Sequence, residues 1–233
     1  MSEVWTECAP ESGVYRSSYT YPAFGEVTSL AFRLESGRWA IFSPPPKPEP
    51  DAMAFFDREG VEALVAPNFA HLSGLRDWLK RYPEARFHAA DRVLGGAHRL
   101  AKIEPRPVSA LKPEAGIELI EAPGTRCGSV WLRSCKGDTK VVYLDEILIT
   151  MNARPARWFS RLIFRMSGTR PGLGLNRLFL KTLCDDPGAH LRGALELADG
   201  ANVVCVAHGP AIAAEAALVE SRHLLKAASD KQR

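Results

Sequence analysis

VEALVAPNFAHLSGLRDWLKRYPEAR, from Val61 to Arg86, is the stretch on which the reading of this chain turns. Val61 to Val65 is a short apolar run of strand type, and Ala66 to His71 cannot be helical through Pro67. From Leu72 the period changes. Leu72, Leu75, Trp78, Leu79 and Tyr82 fall at helical spacing, with Arg76, Asp77, Lys80 and Arg81 on the other side. His71 therefore stands at a strand-to-helix turn, where α/β proteins gather ligand-binding and catalytic groups. Arg86 to Ala90 is expected as the next strand.

The same alternation extends outward. Thr28 to Phe42 is two apolar runs around Glu35-Ser36-Gly37, a hairpin signal, and the proline-rich Ser43 to Pro50 is a loop. Ala52 to Arg58 reads as a helix ended by Gly60. Downstream, Ile117 to Ala122, Ser129 to Cys135 and Lys140 to Ile149 read as strands, with Asp145 interrupting the last apolar run. Arg154 to Lys181 reads as two helical patches broken by Gly168, Pro171, Gly172 and Gly174. Asp186-Pro187 starts a helix, Asn202 to Ala207 is a buried-type strand ended by His208-Gly209-Pro210, and Ala211 to Ala228 is a closing helix. This order fits an α/β sandwich with helices outside.

Composition narrows the function classes. A net charge of +3 over 233 residues is too mild for a protein built to hold nucleic acid. No basic segment followed by an apolar run opens the chain, and no stretch approaches the roughly 20 apolar residues of a transmembrane helix. Cys8, Cys127, Cys135, Cys184 and Cys205 are odd in number and lack Cys-x-x-Cys spacing. That argues against a disulfide framework or a thiolate zinc site, and for a cytoplasmic protein in a reducing compartment.

Three ionisable residues lie within or just after apolar strands: His71, Asp145 and His208. A carboxylate inside Val141 to Ile149 is costly to bury unless a cation, a metal or backbone donors meet it. Two imidazoles and a carboxylate form a first shell for one Zn or Fe ion. The same trio also works as a hydrogen-bonded structural group with no metal, and spacing does not separate the two. Cys127, in a glycine-flanked loop, is the better candidate for a reactive thiol than Cys205, which reads as an apolar filler. His88, His98, His190 and His223 have no motif around them and are expected at the surface or in caps.

Arg157, Arg161 and Arg165 repeat every four residues, opposite Trp158, Phe159, Leu162, Ile163 and Met166. A membrane-surface helix has this pattern; so does a plain amphipathic helix covering the sandwich, which is the reading preferred.

Val61 to Arg86 resembles the first metal-binding region of the metallo-β-lactamase-like superfamily. Ala122 to Ser129 resembles its Gly-His-Thr-Pro-Gly-Ser motif, Val142 to Asp145 its strand ending in Gly-Asp, and Val206 to Pro210 its final His-Gly-Pro. The Pro-Asn-x-x-His form of the first motif is similar to an uncharacterised branch, a domain family of unknown function. The resemblance implies a four-layer αββα sandwich over residues 1–233, with an Arg-rich helical insertion at about 152–185 that is a lid or a homodimer contact. It also implies a degenerate metal site. Ala66, Asn68, Ala70 and Thr125 replace ligands, so a dinuclear zinc hydrolase is not expected, and His71, Asp145 and His208 remain as ligands for one Zn or Fe ion. Asp145 and Asn68 take the catalytic roles, with Asn68, Thr125 or Glu146 orienting water. Two functions stay open: a mononuclear metal-dependent hydrolase, or a metal-free small-molecule-binding or interaction protein.

Overall fold

The computed structural model describes residues 5–21, 25–151, 158–166, 168 and 171–232. In chain order the first strands are β1 (Thr6–Glu7), β2 (Val14–Tyr21), β3 (Gly25–Arg33) and β4 (Trp39–Phe42). Then α1 (Pro50–Asp57), β5 (Val61–Val65), α2 (Leu75–Arg81), β6 (Arg86–Ala89), α3 (Leu94–Ala101) and β7 (Arg106–Pro107) alternate. These seven strands form one sheet in sequential order, antiparallel up to β4 and parallel from β4 to β7. Parallel neighbours need a crossover, and α1 and α2 supply the first two.

The second half contributes β8 (Ile117–Glu121), β9 (Val130–Lys136), β10 (Thr139–Tyr143), β11 (Leu148–Met151), α4 (Trp158–Met166), β12 (Gly172–Leu175), α5 (Arg177–Leu183), α6 (Pro187–Ala198), β13 (Val203–Cys205) and α7 (Glu215–Asp230). A four-stranded sheet runs β13-β10-β9-β8, and β11 and β12 form a two-stranded ribbon.

The apolar residues sort into three layers of contact. Leu30, Phe32, Phe42 and Val65 meet Val130, Leu132, Val141 and Tyr143 between the two sheets. Trp39, Ile41, Leu64 and Phe87 pack outward against Phe56, Trp78 and Ala97 of the first three helices. Trp131, Val142 and Val204 pack outward against Phe179, Leu191, Ala194 and Leu218 of α5 to α7. The result is the expected αββα sandwich. It explains why Trp39-Ala40-Ile41-Phe42 is apolar at every position, since both faces of the strand are covered.

Two departures from the sequence reading matter for the site. Lys140 to Ile149 is not one strand: β10 stops at Tyr143, a 3₁₀ turn spans Asp145–Ile147, and β11 begins at Leu148. Asp145 has a left-handed backbone, φ 55°, a conformation that Asp tolerates better than most residues. The run is apolar on both sides of this break because both sides are buried, so periodicity conceals it. Gly172 to Leu175, read as a break between helices, pairs with β11 as a strand.

His88 and His190, expected at the surface, are buried. His88 Nδ1 hydrogen-bonds Pro107 O at 3.0 Å. His190 lies between Trp131 and Phe179, ring centroids 4.9 and 5.4 Å away, with Nδ1 3.0 Å from Pro123 O. Burial pushes its imidazole from 6.5 down to about 4, against the pull of the Pro123 carbonyl. The unfolded chain therefore takes up this proton first as the pH falls. Stability is expected to drop from about pH 6.5 to about pH 4, by on the order of 3 kcal/mol for this group. Urea denaturation across that range should show a shallower loss in His190→Gln, and an unchanged slope would remove His190 as its cause.

Candidate functional site

Three chain breaks converge at one end of the sandwich. The loop after β5 carries Asn68 and His71. It is pinned to the second sheet by Val130 N donating to Pro67 O at 2.7 Å and Phe69 N donating to Cys127 O at 3.3 Å. The turn after β10 carries Asp145 and Glu146. His208 follows β13 and is held by single-residue bridges to Val27 of β3 and Ile149 of β11. Gly209 makes that seat possible: its φ is +99°, and a Cβ there would stand 1.5 Å from Thr150 O.

The carboxylate that the two histidines meet is Glu146. His71 Nε2 lies 3.0 Å and His208 Nε2 3.3 Å from Glu146 Oε1, and one donor atom from each of the three falls within 4.8 Å of the others. Behind the His71 ring, Nδ1 meets Ser43 Oγ at 2.8 Å, which holds the imidazole as a partner on the outer nitrogen holds a ligating histidine. Ser43, His71 and Glu146 have the composition of a nucleophilic relay, but Ser43 is fully buried and off the pocket wall, so its hydroxyl orients the ring.

Asp145, the ligand expected from the sequence, stands outside this group. Both its oxygens accept from Asn68 Nδ2, at 2.8 and 3.0 Å, while Ser129 Oγ donates at 2.6 Å and Tyr143 Oη at 3.3 Å. The left-handed turn sends neighbouring carboxylates in opposite directions, Asp145 into the protein and Glu146 to the pocket. Asn68 shares in this arrangement: its amide faces Asp145 as a donor, and its Oδ1 accepts from Ala70 N at 2.7 Å. Its polar atoms are therefore spent on structure. Thr125 Oγ1 accepts from Ser129 N at 3.2 Å, one layer further in.

The charges are strongly coupled. Burial works against an ionised Glu146, but His208 and His71 outweigh it and hold the carboxyl well below the usual range. Burial likewise opposes protonation of His208, and the Glu146 charge overcomes it and raises the imidazole. Burial and the Glu146 charge push Asp145 up to about 6, against His71 and the hydrogen bonds from Ser129 and Asn68. Cys127 is not activated: burial, then the Asp145 charge, push its thiol up to about 12. Cys205 lies in the core between the sheets, 3.8 Å from Cys8.

Glu146, His71 and His208 open into a pocket of about 260 Å³ walled by Tyr19, Tyr21, Val27, Ile149, Asn176, Leu178, Phe179, Thr182 and Leu183, with no lysine or arginine among its described lining. The sequence named Glu146 only as a residue to orient water, and gave no sign of Ser43 or of the wall from β2 and α5. Of the Arg-rich helix, Arg157 and the side chain of Ile163 lie outside the described residues; no described side chain of α4 lines the pocket.

No family model and no curated protein matches the chain. Solved structures do. A metallo-β-lactamase from Pontibacter korlensis superposes with a TM-score of 0.63 at 12% identity, covering 97% of this chain and 99% of that one. A putative diflavin flavoprotein A 5 fragment from Nostoc sp. PCC 7120 gives 0.62 at 14%, covering 99% and 96%. The DIM-1 metallo-β-lactamase gives 0.60 at 12%, covering 98% and 99%. The chain has the metallo-β-lactamase fold; at these identities the likeness extends to fold alone.

The two carboxylates should respond differently to substitution. Asp145→Ala strands three buried donors and is expected to cost about 3–5 kcal/mol in chemical denaturation. Glu146→Gln keeps a hydrogen-bonding group at the pocket and is expected to cost less than about 2 kcal/mol. Equal losses would show that Asp145 is not the structural member of the pair.

Proposed function

We propose that the protein is a hydrolase that works with one divalent ion, held by His71, Glu146 and His208. The observation that carries this reading is the meeting of two imidazole nitrogens and a carboxylate oxygen at the floor of a pocket. Tetrahedral ligands about 2.1 Å from a zinc ion stand roughly 3.4 Å apart. The 3.0 and 3.3 Å separations from Glu146 to the two rings are close to that, and all three donor atoms lie within 4.8 Å of one another, so the donor set suits an ion. When bound, the ion would supply a Lewis acid and a water of lowered pKa.

The chain's own residues have separable roles. Ser43 fixes the His71 ring, the bridges to Val27 and Ile149 place the His208 backbone, and Glu146 supplies negative charge. Asp145, through Asn68 and Ser129, joins the His71 loop to the β10 turn. It acts as a positioning residue, where the sequence suggested a ligand and catalyst. Asn68 offers no lone pair toward Asp145, which supports one ion over two. Neighbours named as metallo-β-lactamases and as a diflavin flavoprotein share the fold, so the fold does not choose the reaction. Two histidines and one carboxylate, with no second ligand cluster among the described residues, form a ligand set that hydrolytic zinc sites use. The apolar wall favours an uncharged substrate.

The second reading is the metal-free binding protein. It is favoured by one fact: Glu146 already bonds both histidines, which closes the cluster without an ion.

Metal analysis after reconstitution with Zn or Fe separates the two. The proposal expects about one ion per chain, lost in His71→Ala, Glu146→Ala and His208→Ala and kept in Thr182→Ala on the pocket wall. Ser43→Ala is expected to weaken metal affinity about 10–100-fold through the His71 ring. Loaded protein should hydrolyse uncharged chromogenic esters or lactones, and the Glu146→Ala protein should not. No ion after reconstitution would leave the binding-protein reading.

A further inference from the structure

The Arg-rich helix does not cover the sandwich. Trp158 is 76% exposed, Phe159 58%, Leu162 46% and Met166 64%, so four of the seven exposed large apolar side chains among the described residues sit on nine-residue α4. A helix turns about 100° per residue, which places these four within one arc of about 100°. Ser160, on the opposite side, is buried and seats the helix on the protein. Arg161 and Arg165 are exposed on the flank of the apolar arc. The reading of a plain amphipathic helix with a covered apolar face does not hold for the residues described.

We propose that α4 is a docking helix for an anionic phospholipid bilayer. Its described exposed side chains are four apolar, one of them a tryptophan, and two cationic, the composition of a helix that lies in the plane of a membrane interface. Charge identifies the occupant. The segment from Arg154 to Lys181 carries seven cations and no acid. A second copy of the chain would pair through a two-fold axis and set this cationic segment against itself. A surface of anionic headgroups neutralises the cations while the acyl boundary takes Trp158, Phe159, Leu162 and Met166. Among the described residues no helix is long and apolar enough to cross a membrane, so the attachment is peripheral. In the chain, α4 falls between β11 and β12, whose inner ends adjoin Ile149 and Asn176 of the pocket wall.

The test is cosedimentation of the full chain with vesicles of equal phosphatidylglycerol and phosphatidylcholine, against vesicles of phosphatidylcholine alone. The wild type should bind the anionic vesicles, weaken with added salt, and bind neutral vesicles poorly. Trp158→Ser/Phe159→Ser/Leu162→Ser should abolish binding with Tm unchanged, because these side chains are exposed. Arg161→Gln/Arg165→Gln should lower affinity roughly 30-fold. His208→Ala should bind as the wild type does, which separates this result from the fate of the metal reading. No binding to anionic vesicles at low salt, or binding indifferent to the triple substitution, overturns the proposal. So does a dimer that the triple substitution dissolves, since the occupant is then a second copy.

Discussion

A buried carboxylate and a largely buried one stand side by side, each needing partners for its charge, and the backbone at Asp145 decides which partners each meets. The left-handed turn there ends β10, starts β11 and sends Asp145 and Glu146 to opposite sides. Asp145 takes three donor groups from the interior, which joins the β5 loop, the start of β9 and the end of β10 at one point. Glu146 is left to face both histidines. A buried carboxylate without partners costs several kcal/mol, so each arrangement requires the other.

The same arrangement sets the electrostatics. Glu146 stays ionised because two imidazoles surround it, and its charge is in turn one reason that Asp145 holds its proton more firmly than a surface aspartate. The site therefore carries concentrated charge in a pocket whose remaining wall is mostly aromatic and aliphatic, with Asn176 and Thr182 among it. That contrast, more than the fold, is what points to chemistry on an uncharged substrate.

Much of the fold was legible because its signals are periodic. Leu75 and Trp78 announce α2, and a wholly apolar Val203-Val204-Cys205 announces a strand covered on both faces. His71 and His208 were legible as residues at strand ends. Which of two adjacent carboxylates joins them was not, because that depends on one dihedral angle inside an unbroken apolar run. The resemblance points to Asp145 by alignment, while the turn sets Glu146 against both histidines and Asp145 against Asn68 and Ser129. A neutral buried histidine such as His190 leaves no mark in composition, and an amphipathic helix has the same sequence whether its apolar face is covered or, as in α4, exposed.

The central claim is that Glu146, rather than Asp145, shares one ion with His71 and His208. Anomalous diffraction at the zinc edge, on crystals grown with Zn, tests it most directly. The account predicts one peak about 2.0–2.2 Å from the Nε2 atoms of both histidines and from a Glu146 oxygen, with Asp145 still bonded to Asn68 and Ser129. A peak on Asp145 with Glu146 turned away, or no peak at the two histidines, would contradict it.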